Sequence, residues 1–234
     1  MPHAPVPTPK ERSRAVDAPP SQPTVPYIAS WTAESRPAAR IVNRPSGRGI
    51  AYADETLHDR DRHGVLWYRS VIRPGQGRPK FGTVHAARQR RTMRKLLCQV
   101  CAGPADRNDD GVLWLLGDDR DDWPGWPEEM GATHPPVCLP CAALSVRMCP
   151  FLRRGGHVAV RVRDPRPGGV LGALYEPGPA GPLPVGQVLL PWWDVRMPWV
   201  LASQMAMELR GCTFVDLEAE FDSAGIDKRA LRPG

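Results

Sequence analysis

The chain has 234 residues and a formal net charge of +6, with 41% apolar and 24% charged residues, 28 prolines and 22 glycines. These totals describe a globular protein with a modest core and much loop, and no stretch reaches the roughly 18 uncharged apolar residues of a membrane-spanning helix. Positive charge sits almost wholly on arginine, lysine occurring only at Lys10, Lys80, Lys95 and Lys228. That balance admits phosphate partners and equally a plain solvated surface.

Residues 1–26 are proline-rich and nearly devoid of large side chains, so they cannot bury enough apolar area to offset the entropy of ordering, and a disordered tail is expected. The tail has no apolar core of the kind a secretory leader needs, and a cytoplasmic protein is expected. The unit 27–84 reads as strand-rich: short alternating segments run over 27–32, 39–42, 49–52 and 64–68, and a Pro/Gly loop follows at 73–79.

Between Val84 and Leu97 the period changes to that of a helix. Ala86, Met93, Leu96 and Leu97 fall on one arc, Arg88, Arg91 and Lys95 cluster on the other, and Arg90 and Arg94 flank them. This basic helix runs straight into Cys98-Gln99-Val100-Cys101. A turn and a buried strand over Val112–Leu116 follow, then an acidic stretch from Asp118 to Glu129, then Cys138-Leu139-Pro140-Cys141 at the start of a helix ending before Pro150. Beyond it, 155–234 reads as an α+β part: strands over 157–162, 169–175 and 185–190, a helix over Pro198–Leu209, a strand over 213–217 and a last helical turn or two over 222–231.

Two Cys-x-x-Cys knuckles supply a complete tetrahedral set of thiolates. Each two-residue spacer aims both sulfurs at one ion, and four protein ligands leave no position for water or substrate. Cys98, Cys101, Cys138 and Cys141 are therefore the predicted ligands of a structural Zn2+, with iron as the alternative metal. The order of knuckle, strand and knuckle at a helix start is the treble-clef arrangement, so the predicted fold is α+β: a small mixed domain built around a treble-clef zinc module over 85–154. His134 is a weaker candidate ligand, and Cys149 and Cys212 read as small buried hydrophobes.

The cysteine frame, Cys98 to Ala105 followed by Cys138-x-x-Cys141 at a helix, resembles that of HNH-type nucleases. In that family the strand after the first knuckle carries an Asp-His pair whose histidine is the general base. Here the corresponding residues are Asn108-Asp109-Asp110-Gly111-Val112, without a histidine. The run from Gly75 to Leu217 is also similar to uncharacterised proteins of high-GC Gram-positive bacteria, through Arg78-Pro79-Lys80-Phe81-Gly82, the basic run into Cys98, and His134-Pro135-Pro136-Val137. This resemblance implies a shared fold and zinc site and carries no activity.

The leading expectation is a non-enzymatic, zinc-stabilised protein that meets DNA or RNA phosphates through Arg88, Arg90, Arg91, Arg94 and Lys95, supported by Arg147, Arg153, Arg154, Arg161 and Arg163. The acidic stretch offers the same arginines an intramolecular partner. The alternatives are a protein-interaction adaptor using the Trp-rich loops around Trp123, Trp126, Trp192, Trp193 and Trp199, and a diverged HNH-like nuclease.

Overall fold

The computed structural model describes residues 24–35 and 39–226. The expected disorder of the tail falls outside the described residues except for 24–26, and the end of the expected C-terminal helix likewise lies beyond them. In chain order the elements are β1 (Ala29–Trp31), β2 (Ile41–Asn43), β3 (Ile50–Tyr52), β4 (Leu66–Trp67), β5 (Pro79–Val84), α1 (Ala86–Lys95), β6 (Arg107–Asn108), β7 (Gly111–Gly117) and β8 (Gly131–Ala132). Then come α2 (Leu139–Met148), α3 (Pro150–Gly155), β9 (His157–Val162), β10 (Arg166–Glu176), β11 (Leu183–Pro191), β12 (Val200–Glu208), β13 (Cys212–Val215) and α4 (Leu217–Ser223).

Two sheets dominate this mixed helix and strand protein. One runs β11-β10-β12-β4, with β8 also on β12; the other runs β13-β9-β7-β6, and the pairs β1-β5 and β2-β3 complete the set. Hydrogen bonding crosses between distant parts of the chain: β4 lies parallel to β12, and β8 is antiparallel to it.

Strand β7 divides the interior. Side chains alternate across a strand, so Val112, Trp114 and Leu116 enter the large core between the sheets, while Leu113 and Leu115 enter a second core with Cys98, Val137, Leu139, Ala142 and Phe221. Burial on both faces explains why this strand reads as an unbroken apolar run. Its first residue must be glycine: Gly111 has φ +125°, and a Cβ there would stand 2.2 Å from the Val162 carbonyl oxygen.

One element departs from expectation. The stretch Pro198–Leu209 is not a helix; a short 3-10 turn at Met197–Trp199 leads into strand β12. Leu, Ala, Gln and Met favour helices intrinsically. Here the segment is flanked by β10 on one side and by β4 and β8 on the other, and Val200, Leu201, Ala202, Met205, Ala206 and Met207 are all buried. Pairing on both edges overrides a propensity worth tenths of a kcal/mol per residue.

Helix α1 is held to the fold by buried polar side chains. His85 caps it, its Nδ1 accepting the Arg88 N–H at 3.3 Å. The Arg88 guanidinium is buried and donates to both Glu34 carboxylate oxygens, at 2.5 and 2.8 Å, and to the Ala29 carbonyl at 2.6 Å. Gln89, with no exposure, behaves as a piece of backbone: its amide nitrogen donates to the Thr133 and Met205 carbonyls at 2.7 and 2.8 Å, and its oxygen accepts the Met205 N–H at 3.0 Å.

Burial alone would raise the Glu34 pKa, yet hydrogen bonds from Arg88 and from the Arg73 and Trp31 N–H groups carry it down from 4.5 to about 2. The folded value lies below the unfolded one. Ionised Glu34 therefore stabilises the fold above pH 4.5, by on the order of 3 kcal/mol, and that contribution drains away as the pH falls toward 2. Glu34→Gln should lower the unfolding free energy by about this amount at pH 7, and urea titrations should show the gap to wild type closing between pH 4.5 and 2. A constant gap across that range would contradict the assignment.

Candidate metal centre and basic helix

The knuckle at 98–101 is shaped by backbone. Helix α1 ends at Leu96 in the left-handed region, φ 48°, with the Leu96 N–H returning to the Met93 and Thr92 carbonyls. The chain then turns tightly: Cys98 N–H donates to the Gly103 carbonyl at 2.7 Å, Ala102 N–H to the Cys98 carbonyl at 2.9 Å, and Val100 N–H points at the Cys98 sulfur, 3.4 Å away. Ala102 takes φ 61° to close the turn.

The second pair is positioned by helix α2. Cys138 is its N-cap residue, and Pro140 sits in its first turn, where a missing N–H costs nothing. Both sulfurs thus lie at the positive end of the helix dipole, which favours thiolate. The two pairs are locked to each other by the main chain: Gln99 N–H donates to the Pro136 carbonyl at 3.0 Å, and Val137 exchanges bonds with Asp106 and Leu113 at 2.9 and 3.0 Å. Tyr27 and Ile28 N–H groups cover the first knuckle from outside, donating to Val100 and Gln99 at 2.9 and 3.2 Å.

The outcome is one cluster. The sulfurs of Cys98, Cys101, Cys138 and Cys141 all lie within 4.8 Å of one another, with Cys101 and Cys138 3.8 Å apart, and none is in a disulfide. Cys98 is fully buried, Cys138 and Cys141 half-buried and Cys101 exposed. Sulfurs so close divide their protons unequally. Thiol hydrogen bonds from Cys138 and Cys141 push the Cys98 pKa far down, and the bonds Cys141 makes to Cys138 and Cys98 push its own far up. A divalent cation relieves this crowding by replacing the protons, so the cluster could hold a metal ion. His134 is not part of it; the backbone carbonyl of His134 accepts the Trp114 indole N–H at 2.9 Å.

The predicted basic helix exists, but its cations divide into two groups. Arg88 is a correction to the expected phosphate contacts: it is 4% exposed and committed to Glu34 and Ala29. Arg161 is a second correction, 1% exposed on β9 and bonded to Asp106 and Glu220, each at 2.6 Å. Arg90 is half-buried with its guanidinium 4.4 Å from the Trp67 ring centroid. Arg91, Arg94 and Lys95 are exposed, and none is in an ion pair among the described residues. Arg91 leans on Tyr27, 5.7 Å from its ring centroid. Arg153, Arg154 and Arg163 are exposed as well, on α3 and just after β9.

The acidic stretch does not pair with the helix. Asp118 binds Arg120 at 2.7 Å, and the Glu128 carboxylate accepts the Gly211 and Cys212 N–H groups at 2.9 and 3.0 Å. The helix's partner is Glu34, which no local pattern announces because it lies 54 residues away. Gln89, the one uncharged residue inside Arg88–Arg91, was the visible hint of a buried anchor. Of the remaining cysteines, Cys149 joins α2 to α3, and burial and then the nearby Glu128 carboxylate push the Cys212 thiol up to about 12. Among the tryptophans, Trp67, Trp114 and Trp126 are core, whereas Trp193 is 84% exposed.

Protein purified without chelator should carry about one equivalent of metal, and Cys98→Ser should bring the content near zero and melt the 85–154 region, since ion binding at a closed four-thiolate site is coupled to folding. Cys149→Ser, outside the cluster, should leave metal content unchanged. Elemental analysis with amide exchange reads both; full metal content in Cys98→Ser would refute the four-sulfur site. No family model, curated protein or solved structure matches this chain, so its function is read from its own residues.

Proposed function

We propose that this is a non-enzymatic binding protein, stabilised by a structural zinc ion on Cys98, Cys101, Cys138 and Cys141, that contacts nucleic-acid phosphates through Arg91, Arg94 and Lys95. A zinc–sulfur bond of about 2.3 Å implies a tetrahedral edge of about 3.8 Å, the distance found between Cys101 and Cys138. Four sulfurs complete the coordination and leave no open position for substrate, which favours a structural role. The order of knuckle, β6–β7 hairpin and second pair at the N-terminus of α2 fits the treble-clef reading.

The single observation that carries the phosphate reading is the division of labour on α1. Arg88, Gln89 and Met93 fix the helix from below, so Arg91, Arg94 and Lys95 stand exposed on a rigid support with no carboxylate partner among the described residues. Phosphate contacts need cations held in a fixed array, and release of counterions makes such binding steeply salt-dependent. Arg90, stacked on Trp67, contributes charge at the edge of this array.

Three phosphate contacts predict a slope of log K against log salt of about −2.7 on duplex DNA. Changing Arg91, Arg94 and Lys95 together to Ala should flatten the slope by about that amount and leave the melting temperature near wild type, because exposed substitutions cost little. No binding by the wild-type protein at low salt would eliminate the reading. An adaptor function has one observation in its favour, the exposure of Trp193 and Val195 in the loop after β11. A partner that co-purifies in constant ratio and is lost on Trp193→Ala would move the assignment there.

A further inference from the structure

Strand β11 closes one side of the larger sheet, and among the described residues nothing pairs with its outer edge. Open edges are templates for another strand, and proteins usually blunt them with charge, proline or bulges. Here no charged residue occurs between Glu176 and Asp194. Pro184 and the register shift opposite Leu174 and Tyr175 close off only the first part of the strand. The remainder, Gly186–Leu190, is unguarded.

Its main chain has a definite orientation. Trp192 N–H donates to the Gly168 carbonyl at 3.1 Å, toward β10. By the two-residue alternation of an antiparallel ladder, Leu190 and Val188 also face β10, so the N–H and C=O groups of Gln187 and Leu189 face the open edge. Pro191, paired with Gly169, fits this phase, because its missing N–H falls on the outer side.

Around this edge lies a concentration of exposed apolar side chains: Leu183 at 53%, Val185 at 51%, Leu189 at 46%, Trp193 at 84% and Val195 at 91%. Scattered singly these would mean nothing, but Leu189 and Trp193 line one and the same hollow beside the edge.

We propose that β11 pairs antiparallel with β11 of a second copy of this chain, about a two-fold axis at Val188, joining the two larger sheets into one. The register follows from the free groups. With the axis at Val188, Gln187 stands opposite the partner's Leu189, and each such pair exchanges both main-chain hydrogen bonds, so the four free groups on each strand are all satisfied. Val188, half-buried against the main core, meets the partner's Val188 in the close non-hydrogen-bonded position. Farther out, Trp193 comes opposite the partner's Leu183.

A second copy is the favoured occupant on charge and area. A two-fold interface brings each residue against its own counterpart patch, so any net charge would repel itself; a chain of formal charge +6 offers here a stretch with none. A stable interface buries about 800 Å² per partner. Beyond the strand edge, the exposed Trp193 offers apolar area of the kind such an interface needs.

The test uses the full-length, metal-loaded protein. Light scattering and sedimentation from 1 to 200 µM (about the range in which standard interfaces associate) should show a monomer–dimer equilibrium. Amide exchange at Gln187 and Leu189 should slow as the dimer fills. Leu189→Lys places like charges across the axis, and Gln187→Pro removes an outward N–H while sparing the β10 ladder; each should raise the dimer Kd at least about tenfold. A monomer throughout that range overturns the proposal, as does a dimer whose Gln187 and Leu189 amides exchange freely. Dimerisation unaltered in both variants, with native circular dichroism, also overturns it. The exchange measurement on the wild type decides the matter even where a variant fails to fold.

Discussion

The pairing of Arg88 with Glu34 is the interaction on which the layout around the metal cluster depends. A guanidinium taken out of water costs several kcal/mol unless its donors are met. Here the Glu34 carboxylate and the Ala29 carbonyl, 54 and 59 residues earlier in the chain, meet the two terminal nitrogens, while the buried Nε is left without a partner among the described residues. Satisfying that charge draws β1 and the turn after it onto α1. The same segment then supplies the N–H groups of Tyr27 and Ile28 that cover the first knuckle. Gln89 draws the helix to β12 and to Thr133, a few residues before the second cysteine pair. Two adjacent polar residues thus fix the approach to both halves of the cluster.

Strand β7 extends this arrangement into the hydrophobic interior. One face belongs to the core between the sheets and the other to the core behind the cysteines, so the metal side and the sheet side share a wall. On the cysteine side the neighbouring β9 buries Arg161 between Asp106 and Glu220, and α4 closes over it. The two deeply buried arginines among the described residues are each clamped by carboxylates from remote segments, which makes them organisers of tertiary structure and withdraws them from the surface.

The cluster was legible in the sequence because metal ligation has a local signature: two-residue spacers that a single turn can aim. Strands β7, β9 and β3 were legible because apolar runs bounded by turn residues leave little choice. What could not be read was anything decided by a distant partner. Periodicity puts Arg88 on the polar arc of α1, and a helical wheel has no means of knowing that Glu34 waits above it. Composition makes Val200–Glu208 a helix, and only the strands on either side make it β12. Strand β5 escaped notice because Lys80 to Thr83 are exposed and its pairing with β1 leaves no alternation to detect. The four-cysteine cluster, then, was set by neighbours in sequence, and the cationic surface by contacts between parts far apart in sequence.

The unequal exposure of the four sulfurs has a kinetic meaning. Cys98 is sealed beneath the knuckle, while Cys101 stands at the surface with Gly103, which has no side chain, beside it. An ion held by this set would be closed to substrate and yet open to exchange at one corner. Chelators and oxidants would meet Cys101 first, and the lifetime of the bound ion would be governed by how readily that one sulfur lets go before the half-buried Cys138 and Cys141 or the buried Cys98.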